Sequence, residues 1–214
     1  MQQLDLIQGT QEWRNARAGS LGSSSLHEVV ARTKTGWSAS RANRMSTLIV
    51  ERLTGIPQET YVNAAMQDGI EREPEARAAY AFRTDADVVE VGIALHPSIK
   101  GTHASPDGLV GTDGLVEIKC PQQSAHLALL LGEAIPSKYL IQMQWQLRCC
   151  DRAWADFVSY NPSFPENMRL FIQRIKRDDG HISELESAVR QFIAEIDEKI
   201  AALNARFGLM ARAA

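Results

Sequence analysis

Apolar residues recur at a helical period in seven stretches of the chain, with polar residues between them. Thr10 is suited to cap the first stretch, because its hydroxyl can accept a backbone N–H bond. In the fourth stretch, Pro74 predicts a break or the start of a new helix. The expected buried positions of that stretch are Tyr61, Ala64, Ala65 and Ile70. The predicted helices span residues 10–17, 23–30, 38–53, 58–83, 121–131, 137–150 and 182–207.

Elsewhere the apolar residues alternate with polar ones or are mostly β-branched, which is typical of strands. The predicted strands span residues 87–95, 102–107, 109–120, 152–160 and 169–176. No internal repeat or low-complexity linker divides the chain. We therefore expect one α/β domain with a mixed central β-sheet and helices on both of its faces. Its parts are an N-terminal helical part (about 1–85), a sheet core (about 86–177) and a C-terminal helix (about 181–207).

Composition narrows the classes of protein only a little. The 214 residues are 44% apolar, which suits one domain with a real core. The formal net charge is only −3, so any surface that binds nucleic acid must be a local one. The three cysteines give no disulfide framework, and we find no signal peptide and no long apolar run. These features predict a cytoplasmic protein.

The candidate chemistry lies between Asp107 and Lys119. Side chains alternate along a strand, so Glu117 and Lys119 lie on one face and Ile118 lies on the other. Asp107 is close by on the preceding strand of the predicted hairpin. Two carboxylates suit a hard divalent cation such as Mg²⁺, and a neighbouring ammonium can orient or deprotonate a water molecule. The pattern therefore predicts a metal-dependent hydrolytic site.

The same residues have a simpler interpretation. The pairs Asp107-Gly108 and Asp113-Gly114 are common turn dipeptides. A strand with alternating charges on its wet face is also ordinary. On the spacing alone, both interpretations remain open.

A second candidate surface lies between residues 32 and 44, where cations are interleaved with Trp37. Such a mixture is typical of surfaces that face nucleic acid, and Trp37 and Arg41 are the candidate contacts. The alternative is a solvated loop and the polar face of the following helix. The cations of this segment are Arg32, Lys34, Arg41 and Arg44.

The strings Ser-Pro-Asp-Gly-Leu (105–109) and Leu-Val-Glu-Ile-Lys-Cys-Pro (115–121) resemble the nuclease core of lambda-type (YqaJ-like) phage recombination exonucleases. These enzymes belong to the PD-(D/E)xK nuclease superfamily. The resemblance implies a restriction-endonuclease-like core. It also implies Mg²⁺-dependent 5′→3′ digestion of one strand of linear double-stranded DNA. The products would be mononucleotides and a 3′ single-stranded overhang for recombination by strand annealing.

The resemblance also assigns roles around the metal. Asp107, Glu117, the Ile118 carbonyl and Glu73 would hold one or two Mg²⁺ ions, for which Mn²⁺ would substitute. Lys119 would act on the attacking water. The alternatives to Glu73 are Glu71 and Glu75.

On the helix 137–150, the family places a tyrosine and a glutamine toward the active site. Tyr139 and Gln142 match that spacing, and a glutamine can orient water or hold a phosphate oxygen. Gln144 and Gln146 are alternatives to Gln142, but only one face of the helix can point inward.

The family binds the 5′-phosphate of the DNA end with a Trp-x(3)-Arg segment and nearby serines. Trp13 and Arg17 match the segment, Ser24 is the best match among the serines of residues 19–25, and Ser105 matches a second contact. A guanidinium suits a terminal phosphate because it makes paired hydrogen bonds.

The resemblance further implies a ring-shaped homotrimer and a phage single-strand annealing protein as partner. Two other functions share these residues. One is a PD-(D/E)xK endonuclease of restriction or repair type, which would cut circular DNA. The other is a non-catalytic DNA-end-binding protein.

Overall fold

A computed structural model describes residues 1–58 and 63–208. Its helices lie close to the predicted ones. The Thr10 hydroxyl accepts the Trp13 N–H bond at the start of the first helix, and Gly55 ends the third with φ 71°. The helices are α1 (Gln11–Arg17), α2 (Leu26–Val30), α3 (Ala39–Thr54), α4 (Ala64–Thr84), α5 (Gln123–Leu130), α6 (Ser137–Cys150) and α7 (Asp179–Phe207).

The strands of the described residues form two sheets and a small hairpin. They are β1 (Gln2–Leu4), β2 (Leu21–Gly22), β3 (Arg32–Thr33), β4 (Gly36–Trp37), β5 (Val88–Val89), β6 (Ile93–Leu95), β7 (Thr102–Ala104), β8 (Gly108–Val110), β9 (Gly114–Lys119), β10 (Trp154–Tyr160) and β11 (Leu170–Lys176). The larger sheet has the order β11-β10-β9-β8-β5, and the smaller has the order β1-β6-β7-β2. In the larger sheet β9 and β10 run parallel, and its other pairs run antiparallel. This sheet is therefore mixed, and α5 and α6 connect its parallel strands.

One predicted strand proves to be divided between the sheets. The stretch 87–95 gives β5 in the larger sheet and β6 in the smaller one. Gly92 lies at the division, where a β-carbon would come within 2.4 Å of the Leu6 carbonyl oxygen. The predicted strand 102–107 gives only the shorter β7, and Ser105 and Asp107 lie on the link from β7 to β8 of the larger sheet. The alternation of apolar and polar residues predicted strands at these positions, but it does not indicate which sheet each strand joins.

Helix α4 differs most from its prediction. It continues through Pro74 without a break, and Ile70 is 57% exposed. Ala64 is exposed as well, whereas Ala76 and Tyr80 are fully buried. The helix is positioned by these later residues, which pack on the sheet and outweigh the hydrogen bond that proline removes. Tyr61 and the side chain of Ala65 lie outside the described part of the chain.

Helices pack on both faces of the larger sheet. On one face, Ala76 and Tyr80 of α4 contact a cluster formed by β8, β9 and β10. On the other face, Phe157 of β10 belongs to the main core with Trp145 of α6 and Phe192 of α7. No helix of residues 1–58 or 63–208 is long and apolar enough to cross a membrane. The predicted architecture of a mixed sheet between helices is confirmed.

Asp156 ties α4 to β10 and β11. Its buried carboxylate accepts a hydrogen bond from the Tyr80 hydroxyl at 2.8 Å and two from the Arg174 guanidinium at 2.8 and 2.9 Å.

We expect Asp156→Ala to lower the free energy of unfolding by about 2 kcal/mol, because the buried Tyr80 hydroxyl loses its acceptor. Urea denaturation measures this change. Asp197→Ala, which removes an exposed ion pair with Arg52, should cost less than about 1 kcal/mol. Equal losses of unfolding free energy in the two variants would contradict the structural role of Asp156.

Candidate active site

Glu117 is the centre of the candidate active site. It lies near the end of β9, and it is fully buried. Gln142 and Gln146 of α6 donate to its two carboxylate oxygens at 2.6 and 2.5 Å. Lys119 contacts the oxygen that Gln142 also contacts. A buried carboxylate with this many donors is held in one orientation.

The glutamines of α6 divide between two faces. Gln142 and Gln146 are four residues apart and therefore share the face toward Glu117. Gln144 lies on the other side, where it donates to the Lys176 carbonyl at 2.8 Å and accepts the Asp178 N–H at 2.9 Å. Of the three candidate glutamines, Gln142 and Gln146 therefore face the site, and Gln144 has a structural role.

Asp107 lies beside Glu117 on the link that leads into β8. Its Oδ2 accepts the Ile118 N–H at 2.6 Å, which fixes the carboxylate against β9. Burial and the negative charge of Glu117 raise the pKa of Asp107 well above its ordinary value. Glu117 is therefore close enough for its charge to disfavour the ionised form of Asp107.

Glu73 approaches the same region from α4 but pairs with Arg77 at 2.6 Å. Arg77 also donates to the Asp107 backbone carbonyl at 3.1 Å, so it joins α4 to the site. Burial raises the pKa of Glu73 even though Arg77 and Lys119 act in the opposite direction. The side chains of its rivals are occupied elsewhere: Glu71 accepts from Gln67, and Glu75 accepts from Tyr160.

The donor set fits a hard divalent cation. Two carboxylates, Asp107 and Glu117, stand beside the backbone of Ile118, and Mg²⁺ usually takes one or two carboxylates with water completing its shell. The charge of Glu117 disfavours an ionised Asp107, and a bound cation would offset that effect. Within residues 1–58 and 63–208, no three acidic, histidine or cysteine side chains converge on one point. The fit therefore rests on Asp107 and Glu117, and Glu73 acts on them through its charge.

Lys119 and Tyr139 lie on the same side of the site. The Lys119 ammonium is 5.5 Å from the centre of the Tyr139 ring. Burial by itself would lower the pKa of Lys119, but the charges of Glu117 and Asp107 outweigh it and raise the pKa. The side chain is therefore a cation that can donate to a water molecule or a phosphate oxygen.

Arg17 is a second candidate cation, and it contacts a strand of the smaller sheet. Its guanidinium carbon lies 3.8 Å from the centre of the Trp13 ring, and its Nε donates to His103 Nε2 at 2.9 Å. Among the described residues Arg17 forms no ion pair, and burial lowers its pKa to about 10. The side chain is half-buried, and the charge of Glu51 offsets only part of the effect of burial on its pKa. A desolvated guanidinium without an ion-pair partner is costly unless an anion joins it. The arrangement is therefore suited to a bound anion.

The predicted serine contacts occupy different environments. Ser105 follows β7 directly, and its buried hydroxyl has no hydrogen-bond partner among the described residues. Ser24 is exposed in the 3₁₀ turn Ser23–Ser25. Ser20, from the same glycine- and serine-rich segment, contacts the other ring nitrogen of His103 at 2.8 Å. The structure thus joins Ser20 to Arg17 through a histidine.

The segment 32–44 requires a correction. Arg41 is only 5% exposed, and it makes a paired salt bridge with Glu195 of α7 at 2.8 and 3.0 Å. Both sequence interpretations placed Arg41 at the surface, whereas its position joins α3 to α7. The guanidinium carbons of Arg32 and Arg41 lie 3.8 and 4.3 Å from the centre of the Trp37 ring. Arg32 therefore remains the exposed cation beside Trp37.

Residues 12–153 match the YqaJ-like viral recombinase domain. The chain belongs to the YqaJ-like viral recombinase family. No curated protein matches it significantly. The YqaJ-like fold recurs in LHK-Exo, an alkaline exonuclease from Laribacter hongkongensis, with 46% identity and a TM-score of 0.86 over 94% of this chain and 100% of that one. A crystal structure of LHK-Exo in complex with dAMP is 45% identical, with the same TM-score and coverage.

A phage-related exonuclease from Haemophilus somnus 129PT shares the fold, with 16% identity and a TM-score of 0.68 over 89% of this chain and 99% of that one. The family and the likeness to LHK-Exo show that this YqaJ-like protein is a DNA exonuclease of phage type. They confirm the predicted lambda-type family and its restriction-endonuclease-like fold.

Two residues of this YqaJ-like site had no assigned role in the sequence. Arg77 lies four residues after Glu73, which is the helical spacing of an ion pair, so a signal was present. His103 occupies a strand as a lone histidine, and no local pattern shows that it contacts Arg17. Long-range contacts of this kind become visible only in the fold.

Proposed function

We propose that this exonuclease digests one strand of linear double-stranded DNA from its 5′ end, with Mg²⁺ as cofactor. The products are mononucleotides and a 3′ single-stranded overhang for recombination by annealing. The observation that carries this proposal is the short stretch of chain between the anion-suited Arg17 and the acidic site. Arg17 contacts His103. His103 and Asp107 are four residues apart, at most about 14 Å along the chain, and Ser105 lies between them.

This spacing suits an enzyme that holds a terminal phosphate and cleaves the next phosphodiester bond. Arg17 with Ser105 and Ser24 would bind the 5′-phosphate. The dAMP in the LHK-Exo crystal structure supports a mononucleotide product, since dAMP carries a single phosphate.

Asp107, Glu117 and the Ile118 carbonyl would hold the metal, with Glu73 contributing charge. When bound, Mg²⁺ supplies an activated water and neutralises charge on the phosphate, and Mn²⁺ would substitute for it. Lys119 donates to the attacking water or to a phosphate oxygen. Gln142 fixes the Glu117 carboxylate, and Tyr139 lines the site beside Lys119.

The assembly and the partner follow from the family resemblance. We propose a ring-shaped homotrimer around the DNA, acting in the cytoplasm of the bacterial host with a phage single-strand annealing protein. A ring retains DNA by topology, which suits a chain whose net charge is only −3. Light scattering that gave a monomer at assay concentrations would contradict the ring.

The proposed activity is tested on linear duplex DNA with and without 5′-phosphates, beside a closed circle. With Mg²⁺ we expect the linear DNA alone to be degraded, faster from phosphorylated ends, with mononucleotide products. EDTA should abolish the degradation. Cutting of the circle would favour an endonuclease, and binding of ends without any cutting would favour an end-binding protein.

A further inference from the structure

His103 contacts both polar groups beside the proposed phosphate site. It is 2% exposed on β7, and each of its ring nitrogens has one partner. Nε2 accepts the Arg17 Nε–H bond at 2.9 Å, and Nδ1 lies 2.8 Å from the Ser20 hydroxyl oxygen. The imidazole thus bridges an arginine of α1 and a serine that precedes β2.

The partner on Nε2 determines where the ring proton lies. A guanidinium nitrogen only donates, so Nε2 must accept and carry no proton. A neutral ring then has its proton on Nδ1, which donates to the Ser20 oxygen. The Ser20 hydroxyl hydrogen is left free to donate elsewhere. Burial and the charge of Arg17 lower the pKa of His103 to about 3, which agrees with a neutral ring at physiological pH.

Two further groups pack against the half-buried guanidinium of Arg17. Trp13 stacks against it at 3.8 Å. A β-carbon on Gly22 would lie 3.2 Å from Arg17 Nη2 and 3.1 Å from His103 Nε2, so glycine allows this close approach. Within residues 1–58 and 63–208, the Arg17 side chain makes its hydrogen bond through Nε, and none is made by Nη1 or Nη2. The two terminal nitrogens therefore remain for a ligand.

We propose that His103 is a positioning residue, which holds Arg17 and Ser20 as joint donors to the 5′-terminal phosphate. This inference rests on the proposed function, and it adds Ser20 to the serines that serve the phosphate. His103 acts through Arg17 and Ser20 and does not contact the phosphate itself. Because Nε2 of His103 accepts the Arg17 hydrogen bond, the imidazole fixes the plane of the guanidinium. Paired hydrogen bonds from a guanidinium to a phosphate depend on that plane.

The test measures kcat/KM on linear duplexes with 5′-phosphate and with 5′-hydroxyl ends, and takes the ratio of the two. His103→Leu removes both ring contacts at similar volume, and we expect it to lower the ratio about tenfold. His103→Gln keeps an acceptor where Nε2 stood, and the ratio should stay within about threefold of the parent. Ser20→Ala should lower it about threefold.

The matched control is His126→Leu. His126 is also fully buried, and its ring contacts Ser159 and the Met168 carbonyl, away from Arg17. We expect this control to lower the unfolding midpoint and leave the ratio unchanged. The ratio separates positioning from stability, since a loss of folded enzyme lowers both rates equally.

Each contrary result has a distinct meaning. If Arg17→Ala removes the phosphate preference while His103→Leu keeps it, the positioning role is wrong and the proposed function stands. If His103→Leu slows both substrates in proportion, its role is structural and the inference is wrong. If the parent enzyme shows no phosphate preference, the proposed phosphate site fails, and the inference fails with it.

Discussion

Lys119→Ala is expected to lower the rate of strand digestion about a thousandfold, while the affinity for DNA ends stays within about threefold of the parent. Lys119 contacts Glu117 and is the cation of the acidic site, so its loss removes a donor to the reacting groups. Single-turnover digestion with Mg²⁺ measures the rate, and fluorescence anisotropy with EDTA measures the affinity.

Lys138→Ala is the matched control for this change. Lys138 is exposed, and its ammonium lies 4.7 Å from the centre of the same Tyr139 ring that Lys119 approaches. We expect its rate to stay within about threefold of the parent, because it has no contact with Glu117. Digestion by Lys119→Ala at a rate near that of the parent would refute the catalytic role.

Asp107→Asn is expected to have opposite effects on activity and stability. Activity should fall about a thousandfold, because the site loses one of its two carboxylates for the metal. In EDTA at neutral pH the unfolding midpoint should rise. Burial and the charge of Glu117 disfavour the ionised Asp107, and the amide removes that penalty. Urea denaturation and the digestion assay measure the two effects.

The stability effect has a defined dependence on pH. The folded-state pKa of Asp107 is raised, so the wild type loses stability as the pH rises from the unfolded value of about 4 through the folded value. The advantage of Asp107→Asn should therefore vanish below about pH 4 and grow above it. Asp113→Asn makes the same change at an exposed turn of the hairpin, and its midpoint should match the parent. A midpoint below that of the parent for Asp107→Asn would contradict the buried-charge argument.

Much of the site could be predicted because its chemistry is local in the chain. The two-residue period of a strand places Glu117 and Lys119 on one face, and the structure shows them in contact. The turn before β9 brings Ile118 beside Asp107, whose carboxylate accepts a hydrogen bond from the Ile118 N–H group. Caps also acted locally, since Thr10 and Gly55 fixed helix ends within a residue or two of the predicted positions.

The sequence by itself therefore determined the helices, the hairpin and the acidic motif, because periodicity and turn chemistry depend on neighbours in the chain. The tertiary structure alone decided which residues meet across long separations. Arg41 pairs with Glu195, 154 positions away, and Arg17 meets His103, 86 positions away. The same packing kept α4 continuous through Pro74 and divided the predicted strand 87–95 between two sheets. These outcomes depend on burial in the whole core, for which a local pattern carries no signal.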